Sequence, residues 1–325
     1  MVISRTPFRM SFFGGGTDFR EYYEKYGGSV ISATFDKYCF VTVRDYPPFF
    51  PNKNQLTYSK IERFNSPSEL SHPMVRAVYE YLGENNLQIS YDADLPARSG
   101  IGSSSSFAVG LLNSIHTHRG RSVNAYTLAK EAITVERELC GEYGGVQDQI
   151  AAAFGGFNRF YFEKGNFYVK PLNISSARLD LLNSRLMLFF SGMSRIAGDI
   201  SREQSDNLEK NIKTLSNMKF LTDEAEKILL SEESLDHFGE LLDLNWQLKM
   251  KLASNISNNS IVSMYETAKS CGALGGKLLG AGGGGFMLFY VPEQSQEAVK
   301  EALKDYMYVP FRFEHEGSRI IYNQR

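Results

Sequence analysis

PARSGIGSSSSF, residues 96–107, follows a segment of strand character (88–94) and opens one with helical apolar spacing, through Phe107, Leu111 and Ile115, over 103–118. Glycine lets backbone approach a ligand closely, and the first turn of a helix presents unpaired N–H groups with partial positive charge. Ser103, Ser104, Ser105 and Ser106 add hydroxyls to that turn, one of which could hold a magnesium ion. A phosphate group satisfies all of these features together; a capped helix after a tight turn accounts for them equally well. The segment is not a P-loop. The chain has no G-x-x-x-x-G-K-[ST] sequence, no H-R-D or D-F-G set, and no G-x-G-x-x-G opening a strand–helix–strand unit.

Three more segments could carry chemistry. KLLGAGGGGF (277–286) places four consecutive glycines between a predicted helix (261–271) and a predicted strand (285–291). That is more than a turn needs, and it suggests close approach to a ligand or to the serine-rich segment. FFGGGTDF (12–19) puts Thr17 and Asp18 directly after three glycines. The carboxylate suits sugar hydroxyls, while an Asx-turn is the plainer reading. GGVQDQIAAAFGG (144–156) surrounds Asp148 with small, uncharged residues, so this acid is paired, functional or capping rather than a solvated surface charge. Arg9 is a candidate partner. Glu136, in TVEREL, is either a metal ligand or part of a charged helix face.

Outside these segments the chain alternates between strand and helix character without a repeat. Residues 30–46 read as a strand with Cys39, Val41 and Val43 on one face; 72–83 and about 126–139 read as helices. FNRFYF and FYVKPL flank EKGN (163–166) as a hairpin, and the looser NISSAR after it suggests a boundary between domains of residues 1–175 and 176–325. A buried strand at 185–191, helices over roughly 199–252, a helix near 293–305 and short strands at 309–315 and 318–323 complete the second part. The pattern is α+β in both parts, not an alternating doubly wound sheet.

At 325 residues, with 42% apolar and 22% charged residues, the chain has ample material for a core. A formal charge of −2, without runs of basic residues, argues against nucleic acid or an anionic membrane as partner. Cys39, Cys140 and Cys271 stand far apart and read as thiols of a reducing compartment; His116 and His118 point different ways on a helix and suggest no metal site. No leader or membrane-spanning run is evident, so a cytoplasmic location is expected.

Taken together and in this order, from Arg5 to Phe286, the segments resemble the GHMP kinases, named for galactokinase, homoserine kinase, mevalonate kinase and phosphomevalonate kinase. TPFRMSFFGGGTDF, ATFDKYCFVTV, RSGIGSSSSF, GGVQDQIAAAFGGFN and KLLGAGGGGF look most like the D-glycero-D-manno-heptose 7-phosphate kinases within that superfamily. Those enzymes phosphorylate the anomeric hydroxyl on the way to nucleotide-activated heptose for bacterial surface polysaccharide. The resemblance implies an N-terminal α+β domain like domain 2 of ribosomal protein S5 and a ferredoxin-like C-terminal domain, with ATP and Mg²⁺ as cofactors. It places Ser99, Gly100, Gly102 and Ser103 to Ser106 around the ATP phosphates, and Ser104 and Glu136 on Mg²⁺. Asp148 matches the family's catalytic aspartate and Arg9 the basic residue beside it.

By the same resemblance, Asp18, with Thr17 and Gly16, matches the sugar-binding aspartate of galactokinases. Gly282 and Gly283 would border the phosphate loop and the substrate end of the cleft. The chain departs from galactokinases at Gly15 and Gly16, where those enzymes have a glutamate and a histidine, which argues against simple galactose binding. A phosphorylated sugar needs a second anion grip, for which Lys37, Arg98, Arg195 and Arg202 are candidates. A kinase of a free sugar such as fucose, or an inactive sugar and ATP sensor, are the rival readings; monomer and homodimer both stay open.

Overall fold

Two long strands, β1 (Val2–Phe13) and β2 (Gly28–Asp45), pair antiparallel at the heart of the molecule. The computed structural model describes residues 1–192 and 197–324. Cys39, Val41 and Val43 are fully buried on β2, as their spacing predicts. β1 has no counterpart in the sequence reading, because Pro7 interrupts it and proline normally argues against a paired strand. The β1–β2 register slips between Pro7 and Phe8, so the missing N–H falls at a bulge.

After β1 comes α1 (Arg20–Tyr26); after β2 come β3 (Asn54–Thr57), β4 (Ile61–Phe64), α2 (Pro73–Leu82), β5 (Leu87–Ala93), α3 (Ser103–His118) and α4 (Ala125–Ile133). The helix expected over 126–139 changes character after α4, continuing as a π-helical turn over Thr134–Leu139. Next are α5 (Gln147–Phe154) and the hairpin β6 (Phe157–Glu163) and β7 (Asn166–Pro171). Lys164 and Gly165 both have positive φ, 48° and 73°, which suits the tight two-residue turn between β6 and β7.

The second part comprises α6 (Ser176–Arg185), β8 (Leu186–Phe190), α7 (Ala197–Asp206), α8 (Leu208–Leu230), α9 (Asp236–Lys249) and α10 (Asn259–Ser270). Then follow β9 (Gly275–Leu278), β10 (Phe286–Tyr290), α11 (Gln296–Ala302), β11 (Met307–Tyr308), β12 (Phe313–Glu314) and β13 (Arg319–Asn323). Residues 176–178, within the segment read as loose, instead open α6, whose N-cap Ser175 accepts from the Arg178 N–H at 3.4 Å.

Among the described residues, nine strands make one sheet, ordered β13-β1-β2-β5-β3-β4, with β12 and the β6–β7 hairpin also joined through β2. Four antiparallel strands, β11-β8-β10-β9, make the other. β12 and β13 thus bring the end of the chain back to the first sheet, where Val2 lies opposite Asn323.

Three apolar clusters follow from this layering. One joins β2 and β5 to α2, α3, α4 and α5; another lies between the second sheet and α8, α9 and α10. The third is shared by the two sheets: Phe8, Met10, Phe12 and Phe35 pack with Leu188, Phe238, Leu242 and Leu288. Side chains alternate along a strand, so β1 sends Phe8, Met10 and Phe12 into this shared core. Arg9 goes to the opposite face.

Candidate active site

From that face, Arg9 meets Asp148, which α5 carries in its first turn. Arg9 Nε donates to Asp148 Oδ1 and Nη2 to Oδ2, both at 2.7 Å, while Nη1 donates to the Gly100 carbonyl at 2.6 Å. Such a bidentate, charge-assisted pair fixes the carboxylate in plane and position. Arg9 is 4% exposed and Asp148 is only partly covered. The carboxylate is therefore reachable in part, with its oxygens oriented from behind.

Asp18 holds the start of α5 in place. Its Oδ2 accepts from the Gln147 backbone N–H at 3.2 Å and from Gln147 Nε2 at 3.0 Å, and Oδ1 accepts from the Gly16 N–H at 2.9 Å. A Cβ on Gly145 would lie 1.8 Å from that Oδ2, so only glycine lets the two loops close. Burial, reinforced by the negative Asp148, pushes the Asp18 carboxyl above its ordinary range. Thr17 is likewise fully buried, its Oγ1 donating to the Gly14 carbonyl at 2.7 Å. Neither side chain is exposed, unlike the open carboxylate that the likeness to galactokinases leads one to expect. Both support the site from below, and Gly16 alone of the three is partly exposed.

Gly102, at φ 74°, turns the chain into α3 and offers no side-chain cap. The N–H groups of Ser103, Ser104 and Ser105 in the first turn therefore have no helical partner and remain free to receive an anion. Of the serine side chains, Ser104 is exposed. Ser99 Oγ donates to the Pro96 carbonyl at 2.6 Å, Ser106 Oγ to the Pro7 carbonyl at 2.8 Å, and Ser103 Oγ accepts from the Arg98 N–H at 3.3 Å. The hydroxyls of Ser99 and Ser106, expected at the phosphates, brace the loop instead.

Glu136 lies on the π-helical turn and is 1% exposed. Its Oε2 accepts from Ser105 Oγ at 2.6 Å and from Gln149 Nε2, and its Oε1 is buried without a partner among the described residues. A buried carboxylate with an unspent oxygen, next to serine hydroxyls, is a donor set that would suit a magnesium ion. The hydroxyl on Glu136 belongs to Ser105, whereas the resemblance pairs Glu136 with Ser104.

The third glycine loop closes on the phosphate loop backbone to backbone. A Cβ on Gly100 would lie 2.3 Å from the Leu279 carbonyl oxygen, and one on Gly285 2.2 Å from that of Ser99; the Phe286 N–H donates to Ser99 O at 3.2 Å. Gly282 and Gly283 pack on Ile256, whose carbonyl accepts from the Gly283 N–H at 2.9 Å. Gly100 has φ 84°, so Gly100→Ala combines backbone strain with a collision that no side chain can relieve. We expect this variant to lose about 1–3 kcal/mol of stability from strain alone and to bind ATP more weakly, as read by thermal melts and the KM for ATP.

The expected anion grips separate. Lys37 Nζ is held by Asp36 Oδ1 at 3.0 Å, next to the segment where Asp36 meets Arg312, so it does not join the Arg9–Asp148 pair. Arg98 is exposed at the phosphate loop. Arg202, on α7, has its guanidinium 5.5 Å from the ring centroid of Tyr143, five residues before Asp148. Arg195 lies outside the described residues. Several site residues escaped the sequence reading: Gln147, Gln149, Tyr143, Lys249 and Lys277. The two glutamines flank Asp148 and Lys277 begins the quoted glycine loop, so position alone signalled them; nothing in the sequence marked Lys249.

A fixed carboxylate beside an anion-receiving helix terminus, with a carboxylate for a divalent cation, is the equipment of direct phosphoryl transfer to a hydroxyl. The chain belongs to the GHMP kinases: the family's N terminal domain matches residues 69–156 and its C terminal domain residues 227–309. It is 31% identical to the D-glycero-alpha-D-manno-heptose 7-phosphate kinase of Campylobacter jejuni, over 97% of each chain. The crystal structure of a D-glycero-D-manno-heptose 1-phosphate kinase from Bacteriodes thetaiotaomicron superposes with a TM-score of 0.82 over the full length of both chains, at 26% identity. The mevalonate kinase of Pyrococcus horikoshii is 29% identical over 72% of this chain and 68% of its own.

Proposed function

We propose that this protein transfers the γ-phosphoryl group of ATP to the anomeric hydroxyl of D-glycero-D-manno-heptose 7-phosphate. The observation that carries this reading is the Arg9–Asp148 pair, set against Gly100 at the mouth of the serine-led helix. The full-length similarity to kinases named for phosphorylated heptoses supports the choice of sugar.

The N–H groups at the start of α3 receive the phosphates, with the Ser104 hydroxyl facing the same opening. Glu136 and the hydroxyls of Ser104 and Ser105 would hold Mg²⁺, which supplies charge neutralisation on the phosphate oxygens. Asp148 accepts the proton of the sugar C1 hydroxyl as its oxygen attacks the γ-phosphorus, and ADP leaves in line. Arg9 keeps the accepting oxygens aimed and offsets charge developing beside them.

At the far end of the sugar, Arg202 is the favoured grip for the 7-phosphate. It reaches from α7 to the Tyr143 loop, while Lys37 is occupied by Asp36. ADP release, measured with Mg²⁺, ATP and a panel of sugars and sugar phosphates, tests the assignment. Heptose 7-phosphate should be turned over with the highest kcat/KM. Preferred turnover of an unphosphorylated hexose, or ATP binding with no turnover of any sugar, would overturn it. Arg202→Ala should raise the KM for the sugar phosphate by about tenfold or more, the scale of a lost charge-assisted contact, with little change in the KM for ATP.

A further inference from the structure

Lys249, the last residue of α9, is 7% exposed and has no assigned part in the reaction. Its Nζ donates to the Leu278 carbonyl at 2.8 Å and to the Gly280 carbonyl. These two peptides flank Leu279, whose own carbonyl oxygen is in contact with Gly100. One Nζ therefore grips the third glycine loop on both sides of the point where it touches the phosphate loop.

We propose that Lys249 is a positioning residue that holds the third glycine loop against the phosphate loop, and that its ammonium is the counter-charge drawn up by the bound triphosphate. The inference rests on the phosphates lying at the start of α3.

The charges around Lys249 explain why a ligand should matter to it. Arg9 faces it from β1 and Lys277 from β9; the Lys277 Nζ donates to the Phe12 carbonyl at 2.7 Å. Asp18 faces Lys277 from the turn after β1, and Asp148 is bound to Arg9. Three cationic side chains thus share a buried region with two acids, and neither lysine has a carboxylate within ion-pair distance among the described residues. Burying uncompensated charge is costly, so the free protein favours the neutral amine. Burial, with Arg9 adding to it, brings Lys249 down to about 7. An arriving polyanion reverses the balance, because nearby opposite charge favours the protonated lysine. Binding should then take up protons, and ATP affinity should fall as pH rises through this range.

The test is calorimetric titration of MgATP into the protein at about pH 8, in buffers of different ionisation heat. The native protein should take up a substantial fraction of one proton per ATP, and its affinity should weaken between about pH 7 and 8.5. Lys249→Arg keeps a permanent charge and donors for both carbonyls. It should bind ATP, take up less than about half as many protons, and show a flatter pH profile. Lys249→Met, lacking the grip, should raise the KM for ATP by about tenfold or more. Unchanged proton uptake in Lys249→Arg would overturn the inference while leaving the kinase reading intact. Absence of ATP binding by the native protein would overturn both.

Discussion

Asp148→Asn should lower kcat by about 10²–10⁴-fold, the usual contribution of a positioned general base, and leave ATP affinity nearly unchanged. The geometry makes this a clean experiment. Asn is isosteric, its amide oxygen can still accept one of the two Arg9 bonds, and the α5 start is held independently by Asp18 through Gln147. In the proposed reading the phosphates meet the N–H groups of α3, which the substitution does not touch. A drop confined to kcat therefore isolates proton acceptance from binding. Turnover within a few-fold of the native rate would remove Asp148 from the chemistry and leave it only a structural partner of Arg9.

Arg9→Met should be the most damaging single change to the site as a whole. Arg9 donates to both oxygens of Asp148 and to the Gly100 carbonyl, so one side chain ties β1, α5 and the phosphate loop together. Removing one partner of a fully buried pair costs about 3–5 kcal/mol. The Asp148 side chain is 22% exposed, so water can recover part of that and a loss of about 2–3 kcal/mol is expected. Both kcat and the KM for ATP should deteriorate, because the acid loses its orientation and the loop its brace. Arg9→Lys retains the charge but not the fork, so it should recover stability more than turnover. Denaturant melts and steady-state kinetics on both variants check the two effects separately. An Arg9→Met protein with native stability and turnover would show that the pair is incidental.

The extent to which this protein is legible from residues alone varies with how local the governing physics is. α3 is predicted at 103–118 and found at Ser103–His118, because a left-handed glycine before it and apolar spacing within it are local signals. The β6–β7 hairpin is equally legible from its Lys-Gly turn. β1 is not: its proline is tolerated only because β2 accommodates a bulge there, and β2 lies fifteen or more residues away in the chain. The pairing of β13 with β1 depends on a partner more distant still.

The same division runs through the site. Glycine clusters, the serine-led turn and an isolated acid among small residues are properties of short segments, and they carry the chemistry and the family resemblance without any long-range contact. Which side chain faces the opening is decided by packing. Asp18 and Asp148 each follow a glycine-rich stretch. Tertiary contacts bury the first under α5 and leave the second partly exposed above Arg9. Ser105 rather than Ser104 meets Glu136 because α3 packs with Ser105 buried and Ser104 exposed. Lys249 acquires its place only when α9 docks beneath the third glycine loop, since nothing around it in the sequence distinguishes it from a surface lysine. Residue chemistry and spacing determined what this protein can bind and which reaction suits it. Burial, which depends on elements far apart in the chain, determined which residues face the ligands and which hold those residues in place.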